Sequence, residues 1–288
     1  MHHPPSEPAA PDLQPVVRRA MDGHPEALDQ LVRALQGGIH GLALRMLGNR
    51  AEAEDATQEI LVRVVTRLAQ FDGRSHVRTW AYRVAVNYLL DVKKNAVERF
   101  HRSFEHMAED LSRDPGPGGL LASEASILID EVKVGCTLGM LQCLDLPHRL
   151  AFVLGEVLEL PGAEAAGILD IEPALFRKRL QKARKAMVDF LRSHCGLVDD
   201  RAPCRCNRMA ARLRSTGTAD AAACDFAEAP TSFEEARRII HQVDEARRAL
   251  HLLRTAKPKP SGIDHARRLF EALGRGPWPS RATERPTG

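Results

Sequence analysis

Residues 172–191 read EPALFRKRLQKARKAMVDFL, a stretch whose cations and apolar side chains recur at helical spacing. Phe176, Leu180, Ala183, Met187 and Phe190 share one stripe of a helix, which predicts that this stripe is buried. Lys178, Lys182 and Lys185 fall on the opposite side, flanked by Arg177, Arg179 and Arg184, with Arg192 beyond them. Just upstream, GAEAAGIL is a shorter helical pattern that stops at the Asp170-Ile171 step, and Pro173 stands in the first turn of the next helix. The small residues Ala163, Ala165, Ala166 and Gly167 let a first helix cross closely under a second. A short apolar helix, a tight turn and a basic helix make the layout of a helix-turn-helix, which points to DNA. A merely solvated basic face is the alternative, and the small-residue run argues against it.

A second group of reactive side chains lies just beyond. Cys195, Cys204 and Cys206 stand close together beside His194, with Cys224 further on. Thiolate and imidazole suit zinc or copper(I), but the spacing is not the paired C-x-x-C of ordinary zinc sites. The expectation is no resident cofactor. His194, Cys195, Cys204 and Cys206 are the set that would hold zinc or copper, and small packed cysteines are the preferred reading. Cys136 and Cys143 sit in an apolar helical pattern and are expected in the core.

The elements that must carry these groups read as helices throughout. The composition, 44% hydrophobic and 27% charged with 5% aromatic residues, is that of a folded chain, and alternating strand-like runs are hard to find. Net charge is only +3, so affinity for nucleic acid must come from local patches. No apolar run approaches the ~20 residues needed to span a bilayer, and residues 1–12 lack a signal peptide's apolar centre. A cytoplasmic protein without membrane insertion is expected, where cysteines seldom form a disulfide framework. There is no Gly-rich phosphate loop, no H-E-x-x-H and no convincing nucleophile–base pair, so no enzyme is expected.

The chain divides at Asp114–Gly119, DPGPGG, which cannot continue a helix. The reading is all-α. Residues 1–24 are a flexible tail, 25–96 a first helical domain and 97–126 a flexible linker. Residues 127–193 are a second helical domain ending in the helix-turn-helix, and 194–288 a helical C-terminal extension. In that extension Ser232 and Glu235 form a capping box ahead of an apolar seam. In the first domain Asn49 is the expected N-cap, with Glu52 three residues on, and Asp55, Gln58, Glu59 and Val62 share one face. That acidic-polar face either stabilises its own helix or suits a protein partner. Further on, Trp80, Tyr82 and Tyr88 are interleaved with Arg74, Arg78, Arg83, Lys93 and Lys94. Rings and cations together suit unpaired DNA, with stacking worth ~1–3 kcal/mol per base. For Tyr88 a core position is preferred, and Trp80 and Tyr82, two residues apart, cannot share a helix face.

Three segments in order, LALRMLGNRAEAEDATQEILVRV, FDGRSHVRTWAYRVAVNYLLD and VLGEVLELPGAEAAGILDIEPALFRKRLQKARKAM, resemble the extracytoplasmic-function class of bacterial RNA polymerase sigma factors. The resemblance covers roughly residues 28–191. It implies that Asp55, Gln58 and Glu59 dock on the clamp helices of the polymerase's largest subunit. It implies that residues 71–91 melt the promoter and read the −10 element as a single strand, with Arg78, Trp80, Tyr82, Arg83 and Asn87 as candidates. It implies that the basic helix reads the −35 element, with Ala174, Arg177, Lys178 and Gln181 toward bases and Lys182 and Arg184 toward phosphates. The implied partners are polymerase core and promoter DNA, with regulation by an anti-sigma factor or by the C-terminal extension. The chain departs from the family in starting the basic helix with Ala174, Leu175 and Phe176 and in continuing well past it. A stand-alone helix-turn-helix regulator is the alternative, but it leaves the aromatic-basic helix and the Asp55–Glu59 face without a purpose.

Overall fold

The computed structural model describes residues 12–96, 103–112, 122–215 and 260–272, and their regular elements are helices. The first module contains α1 (Gln14–Met21), α2 (Pro25–Leu47), α3 (Arg50–Thr66), a 3-10 turn at Leu68–Gln70 and α4 (Val77–Ala96). After α5 (Phe104–Ser112), the second module contains α6 (Ala122–Cys143) and α7 (Leu146–Phe152), the latter widening into a π-helical turn at Val153–Val157. It ends with α8 (Gly162–Ile168) and α9 (Pro173–His194). In the C-terminal extension lie α10 (Cys206–Ser215) and a last helix, α11 (His265–Ala272). The Ser232–Glu235 capping box lies outside the described residues.

Local chemistry explains where these helices start and stop. Gly48 takes a left-handed φ of 72° and ends α2, its N–H returning to the Leu44 carbonyl. One residue later the Asn49 side chain accepts the Glu52 N–H at 3.0 Å and opens α3. Asp145 does the same for α7, accepting the His148 N–H at 2.9 Å.

Two segments expected to lack structure are helical. Within the supposed tail, α1 buries Leu13, Val17 and Ala20 against α2. Pro15 in its first turn and those three side chains on one face were the signal, and a single helix turn of apolar spacing is easily overlooked. Within the supposed linker, α5 sets the Phe104 ring 5.0 Å from that of Phe190 and Met107 Sδ 3.9 Å from Cys143 Sγ. Both segments gain their order from the surfaces they cover, which a local pattern does not contain.

The apolar residues of the two modules form one continuous core. The joint is polar at its centre. Buried Arg149, on α7, donates to the carbonyls of Met46 (2.8 Å), Gln142 (3.0 Å) and Leu144 (2.9 Å) and to the Gln142 side chain. Gln142 in turn donates to the Arg45 carbonyl at 3.0 Å. Burial lowers the Arg149 pKa from its usual value to about 10, so the group stays charged near neutrality. Replacing it by Met keeps the volume but strands buried carbonyls from both modules. Arg149→Met is expected to cost about 3 kcal/mol, read as a lower urea midpoint in equilibrium unfolding.

Candidate nucleic-acid interface

The helix-turn-helix geometry follows from two left-handed residues and one glycine. Glu159 (φ 50°) and Asp170 (φ 51°) reverse the chain before and after α8. Gly155, in the π-helical turn, lies against α9 so closely that a Cβ there would sit 2.8 Å from Leu180 Cδ2 and 3.2 Å from Phe176 Cζ. The stripe of Phe176, Leu180, Ala183, Met187 and Phe190 is buried in that crossing. The opposite face of α9 is open. Ala174, Arg177, Lys178, Gln181 and Lys182 are all exposed and project from its first turns. Beside them Leu175 is 41% exposed, a large apolar side chain on a polar ridge. Such a group fits a thymine methyl, and the reading of the sequence passed over it.

Arg184 behaves differently from its neighbours. Its guanidinium pairs with Glu156, whose side chain is completely buried in the π-helical turn. Its side chain nevertheless remains 45% exposed, two helical turns from Arg177 along nearly the same face of α9. Arg184, expected to reach a phosphate, thus also holds an ion pair within the module. Removing it takes a cationic partner from a fully buried carboxylate. Arg184→Ala is expected to lower unfolding stability by about 2 kcal/mol, whereas Arg177→Ala, on the open ridge, leaves the thermal midpoint within error.

The residues expected to melt the promoter do not form one open face on α4. Arg78 and Tyr82, four apart, turn toward α2: Arg78 donates to the Ala34 carbonyl at 3.1 Å, and the Tyr82 hydroxyl is seated against Gly38. Burial raises the Tyr82 phenol above its usual pKa. Trp80, Arg83 and Asn87 lie on the other flank. The Trp80 ring packs 5.5 Å from Phe71, Asn87 is exposed, and Arg83 donates to the Gly167 carbonyl of α8. Thr79 donates to Glu164, also on α8. Thus the first helix of the helix-turn-helix rests on α4, and Thr79 joins the site as a residue the sequence did not single out. Tyr88, expected in the core, is half-buried at the face of α4 toward α3, with the Arg63 guanidinium 4.6 Å from its ring centre.

On α3, Asp55 is exposed and Glu59 pairs with Arg63 at 3.1 Å. Gln58 is half-buried because α11 lies against it: His265 Nδ1 is 3.1 Å from Gln58 Oε1. With Nδ1 donating to that oxygen, His265 Nε2 accepts the Ser261 hydroxyl at 2.9 Å. The His265 ring also stands 6.5 Å from that of His40, a buried residue of α2. Burial pushes the His40 pKa down to about 4, helped by the His265 charge and by Arg50 and Arg45 and opposed by Glu54. Burial lowers His265 as well, with Arg268 acting the same way and Glu54 and Asp264 opposing.

The cysteines come together without acquiring thiolate character. Cys195 and Cys204 face each other in an isolated bridge, and Gly196 N–H meets the Cys204 carbonyl at 3.1 Å. Burial is the main reason that the thiols of Cys136, Cys195, Cys204 and Cys206 all stand above their ordinary pKa, Cys204 at about 11. Cys136, from α6, feels the other three and joins their neighbourhood. His194 turns away, its ring stacked 4.5 Å from Phe190 and its Nδ1 3.0 Å from the Phe190 carbonyl oxygen. Among the described residues no group of three His, Cys, Asp or Glu side chains is arranged to hold a metal ion.

Known sigma factors resemble this chain. The profile of sigma-70 region 2 matches residues 31–99. The chain is 30% identical over 179 residues to the RNA polymerase sigma-H factor of Pseudomonas aeruginosa, a match covering 60% of this chain and 91% of that protein. It is 28% identical over 181 residues to the ECF RNA polymerase sigma factor SigW of Bacillus subtilis, covering 61% of this chain and 95% of that one. Among solved structures it is similar to the sigma factor RpoE in complex with the anti-sigma factor NepR from Bartonella quintana. There the TM-score is 0.42 at 16% identity, covering 57% of this chain and 95% of that one. A helical region 2 followed by a helix-turn-helix defines the sigma-70 type of specificity subunit, which directs RNA polymerase core to promoters. Within that type the chain belongs to the extracytoplasmic-function class of sigma factors. Among the described residues no helix is long and apolar enough to cross a membrane.

The paired histidines set a pH dependence. Each binds its proton less readily in the folded chain than at the ordinary 6.5, so acid favours the unfolded chain, which takes up more protons. Their contribution is complete above about 6.5 and is lost progressively as pH falls toward about 4. Denaturant midpoints should drop across that window, and His40→Gln should show a smaller drop.

Proposed function

We propose that the two modules divide promoter recognition between them, with residues 25–96 docking on polymerase and engaging the −10 element and residues 127–193 reading the −35 element. The observation that carries this reading is the open ridge of Ala174, Arg177, Lys178, Gln181 and Lys182 on a helix whose other side is locked into the core. Side chains from the first turns of such a helix reach base edges in the major groove, and an arginine there can take both acceptors of a guanine. Leu175 adds an apolar contact. On α3, Asp55 and Glu59 supply the acidic surface for polymerase. On α4, Trp80, Arg83 and Asn87 share the flank that meets single-stranded DNA, and Arg78 and Tyr82 brace it from the α2 side. Because Arg83 and Thr79 are held by α8, promoter engagement requires α8 to leave α4. The protein acts in the cytoplasm and performs no catalysis itself, its contribution being selection and opening of the start site.

Runoff transcription with purified polymerase core on a promoter library tests the division of labour. Reversing charge at Asp55 and Glu59 together should weaken core binding by about tenfold or more. Arg177→Ala should leave core binding intact while changing which promoters are used, at about 1–3 kcal/mol of discrimination. Undiminished core affinity in the first variant would remove the docking assignment.

A further inference from the structure

The groove between α2 and α3 is already filled by the chain itself. Its occupant is α11, which buries Ala266, Leu269 and Phe270 there, together with the whole of His265. The strap leading into α11 adds Asp264, paired with Arg33 of α2 at 3.3 Å, and Ser261, which fixes the His265 ring. The Ile263 N–H donates to the Ser261 hydroxyl oxygen at 3.2 Å, so the strap is folded on itself. Gln58, one of the three side chains on the polymerase-facing side of α3, spends its carbonyl oxygen on His265. The contact joins residues 207 positions apart, so no local pattern calls for it.

We propose that α11 is an intramolecular cap on the docking face of α3 and competes with polymerase core for it. The proposal rests on the reading of Asp55, Gln58 and Glu59 as the docking surface. Asp55 stays exposed and Glu59 remains partly so, which means that α11 covers one edge of the face and leaves the rest accessible. A partner able to touch all three side chains must take Gln58 from His265 and so displace the cap. Charge works in the same direction. Arg267, paired with Glu271 at 2.8 Å, and Arg268 are exposed on α11, and the first turns of α3 carry Glu52, Asp55 and Glu54, the last paired with Arg50. A cationic surface drawn to those acids meets arginines along the Gln58 edge. The cap is a helix of 8 residues held by apolar side chains, one histidine and one exposed ion pair, a size that a larger interface can replace.

The test uses the full-length protein and purified polymerase core, with affinity read by fluorescence anisotropy. Leu269→Glu puts a charge into the buried side of α11 without altering α2 or α3, and it should tighten core binding by about tenfold. Asp264→Arg sets two cations against each other at the rim and should tighten it by about threefold. Adding Arg33→Asp to Asp264→Arg restores the pair with its charges exchanged, at the loss of the Arg33–Asp29 pair, and should bring the affinity back toward that of the unaltered protein. The surface variants keep the test decisive should Leu269→Glu disturb folding. Unchanged affinity in Leu269→Glu and Asp264→Arg, with binding lost in Asp55→Arg, would overturn the cap and leave the docking surface standing. Unchanged affinity in all three would overturn the docking surface and the cap with it.

Discussion

The end of α2 is where the two modules become one body. A helix leaves its last carbonyls without intrahelical partners, and those of Arg45 and Met46 lie where water does not reach them freely. Gln142 and Arg149, both from the second module, supply the missing donors at 3.0 and 2.8 Å. The same guanidinium binds the Gln142 and Leu144 carbonyls at the end of α6, so one cation closes the negative ends of two helices from different parts of the chain. With that joint made, α8 comes down on α4, and α5 lies across α6 and α9. Planar geometry and a charge that survives burial suit arginine to this place, and lysine could not span the same set of carbonyls.

Holding the modules together has a consequence for a sigma factor. Several side chains proposed to meet DNA or polymerase, or lying beside such residues, are bonded within the chain: Arg83 to the Gly167 carbonyl, Thr79 to Glu164 and Gln58 to His265. Each is a single polar contact, and an intramolecular hydrogen bond is worth about 1 kcal/mol net because it replaces one to water. Such contacts hold a resting arrangement yet yield to a partner that replaces several at once. The outer ridge of α9 is different: Arg177, Lys178 and Lys182 are exposed on a helix whose other side is buried. Arg184 belongs to neither group. Its bond to buried Glu156 serves the fold of the helix-turn-helix.

Much of the architecture was legible in the residues. The buried stripe of α9 and its exposed cations follow from helical periodicity alone, and so do the turn before Pro173 and the Asn49 cap. The all-helical class follows from the scarcity of alternating patterns. Less legible were α1 and α5, whose few apolar residues gain meaning from the surfaces they cover. The aromatic-basic helix was read correctly as amphipathic but not as to which ring goes where. Trp80 found Phe71 and Tyr82 found the bare backbone at Gly38, choices made by neighbouring helices. Cys136, read as a core residue of α6, shares its surroundings with Cys195, Cys204 and Cys206, a convergence across three segments that spacing does not reveal.

Taken alone, the order of residues determined what each segment could become: where helices begin and end, which side of each is apolar, and where cations or acids gather. It determined the class of protein as well, because three segments in a fixed order match one family of specificity subunits. The tertiary structure decided which of those surfaces are open. Whether an arginine pairs with a buried glutamate depends on the neighbour brought alongside, and so does whether a glutamine is met by a histidine from far along the chain. That neighbour is chosen by the burial of apolar area summed over the whole molecule, a quantity that no single segment contains.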